Sequence, residues 1–186
     1  SRLLHEIPKP TIAMVNGPAA GAGLAMALAC DLRVASESAR FITAFVKVGF
    51  SGDFGGSYFL SKLVGTGKAR ELYYTGDPLD AGQALALGLV TSVVPDFELL
   101  DATMALARRL AGGPGIALGL MKRNFNAAEN GTLAELLDLE ALHQIRRNFA
   151  GAVHRVGVEL LAEELLERGE EGPRRGLVGR GGRGVR

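Results

Sequence analysis

The sequence predicts a mixed α/β first half followed by a helical second half. Up to Val94, short apolar stretches bounded by glycine, proline and asparagine alternate with helical runs, whereas from Asp96 onward leucine and alanine recur mainly at helical spacing. With 47% hydrophobic and 22% charged residues, the composition is that of a soluble globular domain. A chain of this size buries about 70% of its unfolded surface, so the core needs no disulfide or metal. The single cysteine, Cys30, cannot form an internal disulfide, which fits a reducing compartment and a cytoplasmic protein. His5, His143 and His154 are scattered, so no metal site is expected.

The elements follow in order. Thr11-Ile-Ala-Met-Val15 is β-like, and neither an initiating Met nor a leader pattern precedes it, so the sequence reads as beginning inside a domain. Residues 10–30 carry no charge, a length that raises the question of a membrane span, but Asn16-Gly17-Pro18 breaks the run. The segment divides into a strand at 11–15, a turn, and a small-residue helix from about Gly21 to Cys30. Asp31 to Ser36 reads as a strand and 40–43 as a shorter one. A glycine-rich loop at 49–56 then precedes helical runs at 57–63 and 68–74. Residues 80–87 have a helical pattern, and 90–94 form a strand ending at Pro95. Pro114 is expected in the first turn of a later helix. Leu133, Leu136, Leu137 and Leu142, with Glu135, Asp138 and Glu140 between them, predict an amphipathic segment. Val153, Val156, Leu160, Leu161 and Leu165 suggest another. The domain reading is 1–95 for the α/β core, 96–167 for a helical region and 168–186 for a disordered tail.

Charge separates that tail from the rest. Residues 168–186 hold seven Gly, six Arg and two Glu, a net charge of +4 in a chain of +1, so the preceding body is mildly acidic. The body has no basic nucleic-acid footprint, and the tail lacks the aromatic interleaving of a nucleic-acid-binding segment.

Thr11 to Cys30 is the richest feature for chemistry. A glycine-rich turn lets backbone approach a ligand, and a helix start directs free N–H groups towards an anion or oxyanion. The same small residues also suit close helix–strand packing. Neither nucleotide motif fits: the third small residue of a dinucleotide fingerprint falls on Met26, and Gly65-Thr-Gly-Lys68-Ala69 is not a phosphate loop. Asp53, in Ser51-Gly-Asp-Phe-Gly-Gly56, is open to two readings, as a proton-transfer carboxylate or as the cap of the following helix. Asp31 is expected to satisfy local backbone donors, and Cys30 to be core. His143 is expected at a surface or interface. Lys122 and Arg123 read as solvated helix charges that could meet phosphates in an oligomer.

The run from Lys9 to Asp31, Lys9-Pro-Thr-Ile-Ala-Met-Val-Asn-Gly-Pro-Ala-Ala-Gly-Ala-Gly-Leu-Ala-Met-Ala-Leu-Ala-Cys-Asp31, resembles the crotonase (enoyl-CoA hydratase/isomerase) superfamily. A second block, Thr75-Gly76, Ala81, Ala84 and Gly88-Leu89-Val90, resembles it as well. The resemblance covers residues 3–147 and fades after Arg147. It implies a partial ββα spiral core followed by a C-terminal helical oligomerisation region. It also implies an acyl-CoA thioester substrate with coenzyme A as part of that substrate, no other cofactor, no nucleic-acid or membrane partner, and a homotrimer or hexamer when complete.

By motif position the resemblance makes the N–H of Ala22 an oxyanion donor and places Gly21, Ala22, Ala25, Ala44, Phe45 and Asp53 against the substrate. A second donor belongs to the family's N-terminal portion, which lies outside this sequence. Hydratases of the family carry glutamates at positions matching Ala25 and Phe45, and neither is a carboxylate here, which weighs against hydration by that pair. Asp53 matches the working aspartate of epoxyphenylacetyl-CoA isomerase-like members and of 4-chlorobenzoyl-CoA dehalogenase. Isomerase-type proton transfer is therefore expected. Hydratase or dehalogenase chemistry is the alternative, as is a silent fragment that retains only oligomerisation or weak thioester binding.

Overall fold

The computed structural model describes residues 1–145. The tail from 168 and the helix expected around Val153–Leu165 lie outside the described residues.

A short helix, α1 (Arg2–Glu6), precedes β1 (Ile12–Val15) and β2 (Pro18–Ala20). From sequence, a turn is expected where β2 lies. Proline is tolerated as the first residue of a strand, where its missing N–H leaves no ladder bond unmade, so the turn signal at Pro18 is also a strand start. Next come α2 (Ala22–Leu28), β3 (Leu32–Ser36), β4 (Arg40–Ile42), a 3-10 turn (Phe45–Val48), α3 (Gly56–Val64) and α4 (Thr66–Thr75). The series continues with β5 (Leu79–Asp80), α5 (Ala81–Ala86), β6 (Ser92–Val94), α6 (Leu99–Ala111) and α7 (Gly115–Ala128). Pro114 is the N-cap of α7, one residue before the helix starts. Residues 133–145 are helical.

The strands are divided between two sheets. β1, β3 and β6 form one parallel sheet in that order, with Ile12 opposite Leu32 and Val34 opposite Ser92. β2 and β4 run parallel in the other, where β5 joins β4 antiparallel. The pair β1–β2 is thus followed by α2 and then by the pair β3–β4 stacked beside it, which is the expected ββα repeat, and β6 and β5 extend the two sheets. Parallel neighbours require such crossovers. The buried side chains of Leu24, Leu28, Phe41, Leu60, Leu72 and Leu89 fill the core.

Two buried charges, Arg33 and Lys122, tie the repeat together. Arg33 on β3 is 5% exposed, and its guanidinium donates to the carbonyls of Leu89 (2.6 Å) and Cys30 (2.5 Å), with longer bonds to those of Ala27 and Leu28. It satisfies carbonyls that α2 leaves open at its C-terminal end. Burial pushes its pKa down from the usual guanidinium range. Lys122 was expected among solvated charges. Its side chain is 4% exposed, pairs with Asp31 at 2.8 Å and donates to the Leu4 and Lys9 carbonyls. Asp31 also accepts from the N–H and hydroxyl of Thr11, so it joins β1, β3 and α7 rather than serving only its own turn. His143, expected at a surface or interface, is 7% exposed.

Capping residues fix two helix starts. Asp80 and Gln83 form a reciprocal capping box on α5. Thr132 and Glu135 do the same at 133–145, and the hydrogen bonds from Thr132 hold Glu135 below its ordinary carboxylate range. Among the described residues no helix is long and apolar enough to cross a membrane.

β1, α6 and α7 line an open, mostly apolar cleft of about 960 Å³. Ile12, Met14, Leu100, Met104 and Ile116 face it, and so does Thr103, whose buried hydroxyl has no hydrogen-bond partner among the described residues.

Candidate active site

The site is assembled from three loops that meet around α2. At its start Gly21 adopts φ 51°, ψ −117°, and its N–H bonds the Ile42 carbonyl at the end of β4 (3.0 Å). That backbone geometry favours glycine. Ala22 follows as the first helical residue, so its N–H has no acceptor within the helix. Ala25, one turn on, is 1% exposed.

After β4 the chain turns through Ala44 in the left-handed region (φ 59°, ψ −25°) into the 3-10 turn that carries Phe45. The Phe45 ring lies against Gly21: a Cβ there would be 3.7 Å from Phe45 Cζ. In the third loop Asp53 is exposed, and its Oδ1 accepts only the N–H of the next residue, Phe54, at 2.6 Å among the described residues. It does not cap α3. That position belongs to Gly55, and no side chain caps this helix. Phe54 has φ 53°. Ala44 and Phe54 are the non-glycine residues with positive φ among those described, and they flank Phe45 and Asp53. Left-handed backbone at such residues costs about 1–2 kcal/mol each and persists where surrounding packing imposes it.

Tyr73, on α4, carries no motif that marks it in the sequence. Its ring stacks on Phe45, with centroids 6.3 Å apart and planes 11° from parallel. Its phenol end fills a notch between Gly52 and Gly56: a Cβ at Gly52 would be 3.1 Å from Tyr73 Cε1, and one at Gly56 would collide with the hydroxyl. That same Cβ would lie 3.1 Å from the Ala25 methyl. Burial raises the Tyr73 pKa above 10.0, so the phenol is neutral at physiological pH. The adjacent tyrosines of α4, in a chain with 6% aromatic residues, were the available signal.

Phe45 thus lies against the Gly21 turn and Tyr73, and Tyr73 and Ala25 both meet the Gly52–Gly56 segment that carries Asp53, while none of Gly21, Ala22, Ala25, Ala44, Phe45 and Asp53 lines the large cleft. Cys30 is half-buried, with burial pushing its thiol pKa up, which does not favour a nucleophilic thiolate. Among the described residues no group of three or more His, Cys, Asp or Glu side chains is arranged to hold a metal.

The profile of the Enoyl-CoA hydratase/isomerase family matches residues 1–165. The chain belongs to this family. The match runs past Arg147, where the resemblance read from sequence faded. Among curated relatives, the 1,2-epoxyphenylacetyl-CoA isomerase of Escherichia coli K12 is 44% identical over 143 residues, covering 77% of this chain and 55% of that protein. The 4-chlorobenzoyl coenzyme A dehalogenase-1 of an Arthrobacter species is 34% identical over 160 residues, covering 86% and 56%. The chain thus spans about half the length of these enoyl-CoA hydratase/isomerase relatives.

Solved structures of the family agree with the fold. An enoyl-CoA hydratase subunit from Geobacillus kaustophilus matches with a TM-score of 0.76 and 37% identity over 87% of this chain and 62% of that one. A Thermobifida fusca protein assigned to the enoyl-CoA hydratases, in complex with CoA, matches with a TM-score of 0.78 and 34% identity over 80% and 58%.

Proposed function

We propose that this chain binds acyl-CoA thioesters, stabilises the thioester enolate and transfers a proton through Asp53, as an isomerase does. The observation that carries the reading is the freedom of Asp53. Its carboxylate is exposed, caps no helix and precedes Gly56, which lies against Ala25 of α2, the helix whose first N–H is open.

The chemistry follows from two groups. The Ala22 N–H donates to the thioester carbonyl oxygen, more strongly as negative charge builds there. The Asp53 carboxylate accepts the proton on the carbon next to that carbonyl. The C–H electron pair moves into the carbon–carbon bond of the enolate as the carbonyl π pair moves onto oxygen. In a thioester with a double bond between its third and fourth carbons the enolate is conjugated, so when the proton returns to the fourth carbon the electron pair on oxygen re-forms the carbonyl, the double bond lies between the second and third carbons, and no charge or atom is gained or lost. Ala25 and Phe45, both without a carboxylate, speak against the alternative of hydration, which needs groups to orient and deprotonate water. The homotrimer or hexamer implied by the family resemblance, and a requirement for no cofactor beyond the substrate's CoA, are parts of the same proposal.

Exchange of the acyl α-proton in deuterated water, followed by NMR on the 186-residue chain, tests this reading and registers even slow enolisation. Asp53→Asn is expected to lower the exchange rate by about 100-fold or more. An unchanged rate would remove Asp53 from the mechanism. Failure to bind any acyl-CoA in a calorimetric titration would leave the silent fragment as the correct reading.

A further inference from the structure

The outer edge of β1 has the chemistry of a strand that is paired on both sides. Leu32, first in β3, donates its N–H to the Thr11 carbonyl at 3.1 Å, so Thr11, Ala13 and Val15 turn their backbone polar groups towards β3. Those of Ile12 and Met14 point the other way. Among the described residues no strand pairs on that side. A strand edge that faces solvent is normally blunted by a charge, a proline or a bulge, and parallel sheets are normally covered. β1 is Ile-Ala-Met-Val and pairs with β3 without a bulge, so none of these devices is present. The side chains of Ile12 and Met14 line the apolar cleft with Leu100, Met104 and Ile116, and Met14 and Leu100 are 44% and 59% exposed. Thr103, in the same cleft, has its buried hydroxyl unpartnered among the described residues.

We propose that the edge of β1 and the cleft beside it form a docking surface for an extended polypeptide segment, which adds to β1 as a parallel strand and sets apolar side chains against α6 and α7. Strand order argues for that occupant. β1, β3 and β6 lie in their sheet in chain order, each parallel to its neighbour, so the place beyond β1 continues the same series. A strand with its crossover helix needs about 30 residues. The match to the Escherichia coli isomerase covers 55% of that protein, which leaves ample chain for such a unit. A lipid would fill the cleft and leave the Ile12 and Met14 amides unpaired, whereas a strand satisfies both: its backbone bonds give affinity, and the cleft selects alternate apolar side chains. Neither Asp53 nor an acyl-CoA enters this inference, so it stands apart from the proposed reaction.

The probe is the portion of the Escherichia coli K12 isomerase that precedes its match to this chain, fused to a soluble carrier and mixed with the 186-residue chain. A one-to-one complex is expected, in which NMR-detected hydrogen exchange at the Ile12 and Met14 N–H groups slows by about tenfold or more, while the carrier alone changes nothing. Leu100→Asp alters a side chain that is exposed in the free chain, so the fold is expected to survive. In calorimetric titration it should weaken the complex by about tenfold or more, because apolar contact is lost and a charge enters the cleft. Met14→Pro removes an edge N–H that β3 does not use and supplies an independent variant, expected to weaken the complex as well. No complex, a complex that leaves Ile12 and Met14 unprotected, or one indifferent to both variants would overturn the proposal. Protection of the same two amides in the 186-residue chain alone as its concentration rises would overturn it too, assigning the edge to a second copy. Tighter binding of oleate than of the fragment would assign the cleft to a lipid instead.

Discussion

The neighbourhood of Asp53 and the cleft beside β1 are built on opposite principles. Around Asp53 the contacts are tight. Tyr73 fills the space of two missing side chains, Ala25 meets the start of α3, and two non-glycine residues are held at positive φ. The cleft is large and mostly apolar, with Lys9 and Arg123 as its charged lining residues and one unpartnered hydroxyl, Thr103. Volume and chemistry are therefore separated in this chain. A pocket can be wide because nothing in it must be placed to a fraction of an ångström, whereas a proton-transfer group depends on such placement.

The Asp31–Lys122 pair offers the sharpest way to break that comparison, because it fixes β1 and α7, both of which line the cleft. Lys122→Met leaves Asp31 without its ammonium and two carbonyls without their donor, and is expected to cost about 3–5 kcal/mol in urea unfolding. Lys122 on the surface, as its place in the sequence suggested, would give less than about 1 kcal/mol.

Gly56→Ala addresses the other region. The new methyl meets the Tyr73 hydroxyl and the Ala25 methyl, and overpacking of this kind costs about 1–3 kcal/mol. Its effect is expected to extend to acyl-CoA affinity, measured in the same titration, because the Asp53 loop must move. A stable variant with unchanged affinity would show that the loop's packing does not matter to the site.

Thr103→Val is expected to act in the opposite direction. It removes a buried hydroxyl that has no partner while keeping the shape, so unfolding free energy should rise by about 1 kcal/mol. A loss of stability would mean that the hydroxyl is satisfied in solution.

The smallest effect concerns alkaline pH. The folded-state pKa of Tyr73 is raised by burial, so above 10.0 the unfolded chain releases this proton first and the folded chain holds more protons. The contribution of the neutral phenol is complete below that pH and declines as pH rises through the folded value. Tyr73→Phe should flatten the alkaline end of the stability profile. An identical profile in both proteins would show that burial does not raise this pKa.

Much of the fold was legible because local signals and tertiary outcome agree. The uncharged run around Ile12–Val15, the small residues of Ala22–Leu28 and the pattern at Asp80–Ala86 each carry their own periodicity or cap. β2 and β5 were not read as strands because they have three and two residues, and pairing with β4 defines them more than composition does. At the site, the family resemblance picked out Ala22, Phe45 and Asp53. It said nothing of Tyr73, which is 20 residues beyond Asp53 and reaches its loop through helix packing.

By itself, the sequence determined the alternation of strands and helices, the family, and the presence of an aspartate in a glycine-rich loop, because these depend on neighbours along the chain. Only the tertiary structure decided that Asp53 caps nothing, that Lys122 is buried against Asp31, and that Tyr73 supports the Asp53 loop. Each of those depends on which distant residue fills the space around a group. That is settled by packing density and by the pairing of buried charge, neither of which local sequence encodes.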